Sequence, residues 1–384
     1  MTKEYRTATA FRNALETRLK NIATEENVDI QKLRRQVAFD RLLSRLFQFC
    51  PDQLYLKGGY SMELRIQKAR ATKDIDLILK TVKNQNTDKD EIHEKLIEGA
   101  RFDVNDFFEF QVHKPTLDLE AIPYGGLRFP VEANVDGRLF VRFPIDVVIS
   151  SLVLDPIENL EHTDWLDFAG IESKAYPTIS KEQQFAEKLH AYTLPRDEYE
   201  NSRVKDVVDM FLLIESGKIN RVFLKQAIKE VFEYRGTHEV PNYLIEYPEN
   251  WVPKFDRLRQ ECGIDKSLDQ CFFFIANFLK WATVVSKEMQ DTGPNQAPCH
   301  FCGSNARSWI SKLPKGSGAI NETEEMVDCD CQNCGPFRMT GLFTAMNNSK
   351  QNSRSWELWR KKLENRNKNI EKLRILITTF NFIG

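Results

Sequence analysis

The stretch Lys73-Asp74-Ile75-Asp76-Leu77-Ile78-Leu79 constrains this chain more than any other. Side chains alternate between the two faces of an extended segment. A strand over 73–80 therefore sets Asp74 and Asp76 on one face and Ile75, Leu77 and Leu79 on the other. The apolar face needs a core to cover it. The acidic face holds two like charges side by side, which repel unless a cation lies between them. Hard carboxylate oxygens suit Mg²⁺, which is commonly held by one or two carboxylates together with substrate phosphates. An Asp-x-Asp alone more often marks two surface acids on an edge strand, so its neighbours in the sequence decide how it is read.

Upstream, Leu54-Tyr55-Leu56 reads as a buried strand, Gly58-Gly59-Tyr60-Ser61 as a tight bend, and Ser61 to Ile66 as the start of a helix. Glycines let a phosphate approach the backbone closely. Amide groups at a helix entry, with the Ser61 hydroxyl beside them, can hold a triphosphate. Taken alone, Gly-Gly-x-Ser is better explained as a plain helix entry. Followed within a short helix's length by a strand carrying Asp-x-Asp, it becomes specific. A two-metal site calls for a third carboxylate. The candidate is Asp146, a lone acid in Val141-Arg142-Phe143-Pro144-Ile145-Asp146-Val147-Val148-Ile149. A charge in such an apolar strand needs a partner. The alternative is an Asp at a strand end capping a turn, and Pro144 points to a bulge or an edge position.

Elsewhere, residues 5 to 48 read as two helices, with Phe11, Leu15 and Leu19 at helical spacing. The polar run Asn84 to Glu91 reads as an exposed loop. From 100 to 150 the Phe- and Val-rich sequence, punctuated at Gly125-Gly126 and Asp136-Gly137, reads as strands and hairpins. Ser180 and Gln183 form a capping-box pattern for a helix closed by Pro195. A second helix, Arg203 to Glu215, stops at Gly217, and helical periodicity continues through Trp281. On the first of these helices Phe185, Leu189 and Tyr192 form an apolar stripe flanked by Lys188, which could reach a phosphate; His190 reads as a packed or surface histidine. On the second, spacing alone makes Arg203, Lys205, Asp206 and Asp209 ordinary helix ion pairs.

The formal charge of −2 over 384 residues excludes a uniformly basic nucleic-acid coat, so any RNA contact must come from a local patch. No apolar run is long enough to span a bilayer, and the charged opening Met1-Thr2-Lys3-Glu4 is not a secretory signal, so a cytoplasmic protein is expected, with no membrane partner. Five of the eight cysteines crowd into one stretch after the break at Gly293-Pro294. Cys299-x-x-Cys302-Gly303 and Cys331-x-x-Cys334-Gly335 have the spacing of a tetrahedral structural Zn²⁺ site, with Cys329 as a possible replacement for Cys331. Residues 349 to 374, within an expected last helix from Ser355 to Thr378, hold nine Lys or Arg against three Asp or Glu, with Trp356 and Trp359 interleaved. Such a helix suits an RNA backbone, or equally docks its tryptophans on the protein body.

Together, Gly58-Gly59-x-Ser61, Arg70-Ala-Thr-Lys-Asp74-Ile-Asp76-Leu, the isolated Asp146, Ala186-Glu187-Lys188-Leu-His-Ala and Arg203-Val-Lys205-Asp206-x-x-Asp209 resemble the AbiEii-type nucleotidyltransferase toxins of the polymerase-β superfamily. The resemblance covers roughly residues 8 to 215, with the motifs in the family's order; the cysteine module departs from the short toxin pattern. The resemblance implies that Gly58, Gly59 and Ser61 line an NTP, with Arg70 and Arg203 also binding it. Asp74, Asp76 and Asp146 would hold two Mg²⁺ or Mn²⁺ ions. Lys188 would contact the triphosphate, and Asp206 would act as a second catalytic carboxylate. It also implies an RNA 3′ end of the tRNA kind as acceptor, a cognate antitoxin, and a setting in toxin–antitoxin or abortive-infection phage defence. The fold expected is α+β: N-terminal helices over 1–50, a nucleotidyltransferase core with a mixed sheet over 51–175, a helical domain over 176–292, a zinc ribbon over 293–345 and a basic helix over 346–384. The rival reading is an inactive nucleotidyltransferase scaffold that binds RNA or protein through the ribbon and basic helix.

Overall fold

Two helices open the chain, each with a side-chain cap. Thr7 accepts from the Ala10 amide (3.2 Å) ahead of α1 (Ala8–Glu25), and Asp29 accepts from the Gln31 amide (2.9 Å) ahead of α2 (Ile30–Phe49). The protein's structure is a computed structural model that describes residues 5–81, 88–118, 126–161, 165–196, 200–217, 219–241, 244, 247–283, 295–298, 305–312, 325–331 and 335–340. The chain divides into two compact units. One comprises 1–190, 227–239 and 257–265; the other comprises 191–226, 240–256 and 266–384.

The first unit is built on an eight-stranded mixed sheet. Its strands are β1 (Leu54–Lys57), β2 (Ile75–Lys80), β3 (Phe108–Val112), β4 (Leu117–Asp118), β5 (Gly126–Val135), β6 (Arg138–Ser150), β7 (Glu158–Leu160) and β8 (Tyr176–Thr178). Seven run in the order β3-β5-β6-β2-β1-β8-β7, and β4 pairs with β5. The β2–β6 and β1–β8 pairings are parallel and the others antiparallel. The expected α+β class with a mixed sheet is therefore observed. Alternation along the strands sorts the side chains. Leu54, Leu56, Ile75, Leu77, Phe129, Val131, Phe143, Ile145 and Val147 join one core with Phe11, Leu15 and Leu19 of α1, Val37 and Leu42 of α2, and Ile92 and Leu96 of α4 (Lys89–Ala100). The opposite face carries Lys57, Asp76, Arg128 and Asp146 beside a smaller apolar cluster of Tyr55, Ile78 and Ile179.

Four local details differ from the expectations. Helix α3 (Gly58–Arg65) begins at Gly58 itself, so the glycine pair forms its first turn. Strand β2 begins at Ile75, leaving Asp74 in the bend that leads into it. The predicted loop over Asn84 to Glu91 gives way by Lys89 to α4, because Asp88 caps that helix by accepting from the Asp90 amide (3.2 Å). Strand β6 is interior. Pro144 lies opposite Pro130, a pairing that requires no amide from either, and the pairing with β2 starts only at Ile145. The irregularity in β6 falls instead at Phe140, the extra residue between the pairs Asn134–Leu139 and Ala133–Val141.

The remaining helices are α5 (Lys181–Thr193), α6 (Val204–Glu215), α7 (Arg221–Arg235), α8 (Val252–Glu261) and α9 (Leu268–Thr283). As expected, Ser180 Oγ accepts from the Gln183 amide (3.2 Å) at the start of α5, and Gly217 follows α6 with φ +74°. In the second unit Phe211 of α6 meets Phe274 of α9 (ring centroids 5.5 Å apart), and Trp251 donates to the Asn201 carbonyl (2.7 Å). Strands β9 (Asn295–Pro298), β10 (Asn305–Lys312), β11 (Glu325–Cys331) and β12 (Gly335–Thr340) form an antiparallel sheet in the order β12-β11-β10-β9. Cys299, Cys302 and Cys334 lie outside the described residues, as does the helix expected over 346–384.

Candidate active site

One row of residues crosses the polar face of the first unit's sheet. Lys57 pairs in register with Asp76, Asp76 with Asp146, and Asp146 with Arg128, on β1, β2, β6 and β5 in turn. In-register neighbours project to the same face, so two carboxylates stand side by side with a cation at each end. Asp74 adds a third carboxylate at the mouth of β2; its Oδ1 accepts from Thr72 Oγ1 (2.7 Å). Arg128 grips Asp146 in a two-point fork, Nε to Oδ1 at 2.7 Å and Nη2 to Oδ2 at 2.6 Å, and its Nη2 lies 3.4 Å from Asp74 Oδ2. These bonds hold the guanidinium's pKa above its usual value, the hydrogen bonds to Asp146 contributing most.

Asp76 lacks such a guanidinium. Among the described residues its Oδ2 accepts a long bond from the Gly59 amide, at 3.3 Å. Burial first, and then the neighbouring Asp74 charge, push its carboxyl up to about 6 against the pull of Lys57. The sign for stability follows. Between the unfolded value of about 4 and a folded value of about 6, the folded state holds more protons. The metal-free protein is therefore expected to lose stability as pH rises from 4 to 6, and a thermal melt series across that window checks this. Melting temperatures that instead climb steadily from pH 4 to 6 in a variant-controlled comparison with Asp76→Asn would refute it.

The glycine pair is packed against these acids. Gly58 has φ +69°, and a Cβ there would sit 1.9 Å from Asp76 Oδ2; a Cβ on Gly59 would sit 2.5 Å from Thr72 Oγ1. Both positions need glycine because the backbone comes within contact distance of the Asp76 carboxylate at Gly58 and of the Thr72 side chain at Gly59. Ser61 is fully buried. Its hydroxyl donates to the Gly58 carbonyl (2.9 Å) and accepts from Gln184 Nε2 (2.8 Å), so it braces the turn from within. Gln184 also donates to the Gly58 carbonyl (2.7 Å), tying α5 to the start of α3. Lys188 lies one turn further along α5 and is buried. Its neighbour Glu187 pairs with Lys57 (3.2 Å). Arg70 is buried, with Nη2 3.7 Å from the position a Gly59 Cβ would take.

The first unit thus brings together Gly58, Gly59, Ser61, Arg70, Asp74, Asp76 and Asp146, and carries Lys188 on the helix anchored to them. Arg203 and Asp206 belong to the second unit, where they form an i,i+3 pair at 3.8 Å. His190 is buried and bonds to Thr237 (2.9 Å); burial, then His238 and Arg235, lower its pKa to about 4. Sequence reasoning missed Arg128, Lys57, Thr72 and Gln184. Thr72 and Lys57 flank the recognised motifs, two residues before Asp74 and one before Gly58, and proximity alone could have flagged them. Arg128 needed the β5–β6 register.

The family model for the nucleotidyl transferase AbiEii toxin, type IV TA system, matches residues 41–271, more than half of the chain and all of the acidic row. The protein is accordingly an enzyme of the nucleotidyltransferase class. It belongs to the AbiEii toxin family of type IV toxin–antitoxin systems. Among solved structures, the chain is similar to the nucleotidyltransferase toxin MenT4 of Mycobacterium tuberculosis, at 18% identity over 68% of this chain and 91% of that one, with a TM-score of 0.40. It is also similar to JHP933 of Helicobacter pylori, at 12% identity over 66% and 95%, with a TM-score of 0.35. No curated protein gives a significant match. Among the described residues, no helix is long and apolar enough to cross a membrane.

Proposed function

We propose that this nucleotidyltransferase moves a nucleotide from an NTP to an RNA 3′ hydroxyl of the tRNA kind, using two divalent ions held by Asp74, Asp76 and Asp146. The observation that carries this reading is the side-by-side placement of Asp76 and Asp146 on β2 and β6, against the Gly58–Gly59 turn. The donor chemistry fits Mg²⁺ or Mn²⁺. The ligands are hard oxygens only, and burial followed by the Asp74 charge pushes the Asp76 carboxyl up to about 6, a crowding of negative charge that a divalent cation would relieve. Among the described residues no three such side chains yet enclose one point, and Arg128 occupies both oxygens of Asp146. When bound, ions of this kind lower the pKa of an attacking hydroxyl and neutralise a leaving pyrophosphate.

The chain's own residues would do the rest. Gly58 and Gly59 would line the nucleotide through their backbone, the space at their Cα positions being taken by Asp76 and Thr72, and Ser61 and Gln184 hold that turn in shape. Arg70 and Lys188 would add positive charge for the triphosphate. A cognate antitoxin is the partner expected for a family of this kind.

For the C-terminal cysteines we propose a structural Zn²⁺ on Cys299, Cys302, Cys331 and Cys334. The strand register supports it. Ala306, near the start of β10, pairs with Cys331 at the end of β11, so the β9–β10 and β11–β12 connections leave from one end of the sheet. Each connection carries one Cys-x-x-Cys pair or part of it. The basic segment over 346–384, expected from the sequence to be helical, would then contribute the local positive patch for RNA.

The test is incubation with each α-labelled NTP and total RNA, with magnesium or with EDTA. The expected result is label in RNA with one NTP, abolished by EDTA. Label on protein alone would replace the acceptor with a side chain. Incorporation into nothing, with any NTP, would leave the inactive binding scaffold as the answer.

A further inference from the structure

No sequence motif includes Arg128, and its contacts are those of a cation standing where an ion would go. Its fork bonds both oxygens of Asp146 and approaches Asp74. The guanidinium takes an acceptor site on each Asp146 oxygen and sets a positive charge beside them, so a divalent ion approaching Asp146 competes with it. The side chain is about one-third exposed (36%), so it can leave without disturbing the core. Its backbone is held by β6 on one side and by the short β4 at Leu117 on the other, so a displaced guanidinium stays tethered at the edge of the acidic row. A forked guanidinium binds phosphate as readily as carboxylate.

We propose that Arg128 exchanges partners during the reaction cycle: it is the counter-cation of Asp146 and Asp74 in the metal-free enzyme, and a ligand of the nucleotide's phosphates once metal has displaced it. This rests on reading Asp74, Asp76 and Asp146 as metal ligands. Two binding measurements on the full chain test it with Arg128→Gln and Arg128→Lys, using Mn²⁺ alone and then inorganic triphosphate in saturating Mn²⁺. Arg128→Gln, which removes the competitor, is expected to bind Mn²⁺ at least tenfold tighter than wild type and the triphosphate at least tenfold more weakly. Arg128→Lys keeps the charge but not the fork and should fall between the two in both measurements. A purely structural role for Arg128 would weaken both affinities together, and that outcome overturns the exchange, as does any unchanged Mn²⁺ affinity. If wild type binds no Mn²⁺, with or without triphosphate, the metal-site reading fails and the exchange falls with it. If wild type binds Mn²⁺ and Asp76→Asn does not, but Arg128→Gln gains nothing, only the exchange is refuted.

Discussion

Asp76→Asn is expected to lower nucleotidyl transfer on the order of 10³-fold while leaving the metal-free protein as stable as wild type or more so. The first half follows from removing a charged ligand at the point where transition-state charge is neutralised, an effect of several kcal/mol, with each 1.4 kcal/mol about tenfold in rate. The second half follows from the geometry. Asp76 lies beside Asp146 in register, is desolvated, and has its carboxyl pushed up to about 6 by burial and then by the Asp74 charge. Its negative charge at neutral pH therefore works against folding, on the order of 1–3 kcal/mol. Asn relieves that penalty and remains uncharged beside the Gly59 amide. Paired measurements of labelled-NTP incorporation and thermal melting at pH 7.5 separate this account from simple structural damage. A variant that melts well below wild type, or that still transfers at near wild-type rate, would contradict it.

The largest stability effect is expected far from the acidic row. Asp106 leads into β3, its side chain fully buried. It accepts from Arg41 Nε (2.6 Å), Arg45 Nη1 (2.7 Å) and the Phe108 amide (3.0 Å). Burial alone would raise its pKa, but Arg45 and Arg41 outweigh that and hold the carboxyl below its usual range. Replacing it with Ala strands two guanidinium groups in the interior between α2 and the sheet. Breaking a buried pair in this way costs about 3–5 kcal/mol, a large part of the roughly 5–15 kcal/mol that holds a typical protein folded. Denaturant unfolding should show the midpoint falling with little change in slope. A loss under about 1 kcal/mol would mean that water reaches the two arginines. Because the carboxyl is depressed, its contribution is present above the unfolded pKa near 4 and is lost as pH falls through the folded value.

Much of this architecture was legible locally. Phe11, Leu15 and Leu19 marked α1 by spacing, Ser180 marked the start of α5, and Gly217 the end of α6, because capping and periodicity are short-range properties. The glycine pair and the acids at 74 and 76 were equally visible, since their meaning lies in residue type and a two-residue period. The network at Asp106 was invisible. Nothing in the spacing of Arg41, Arg45 and Asp106 announces that two arginines one helical turn apart will share a buried site with a carboxylate more than sixty positions further on.

Arg128 shows where local information ends. Counting back from the Asp136–Gly137 turn, where Val135 pairs with Arg138, would set Arg128 opposite Ile145 and send it to the apolar face. The extra residue Phe140 shifts the pairing by one and places Arg128 opposite Asp146. A single-residue slip exchanges the two faces of a strand. By itself, then, the sequence determined which residues carry charge and which segments form helix or strand, because those follow from side-chain chemistry and near neighbours. Which charges meet was decided only by tertiary structure, through one bulge and through the pairing of β2 with β6, whose partners are separated by about 70 residues of chain.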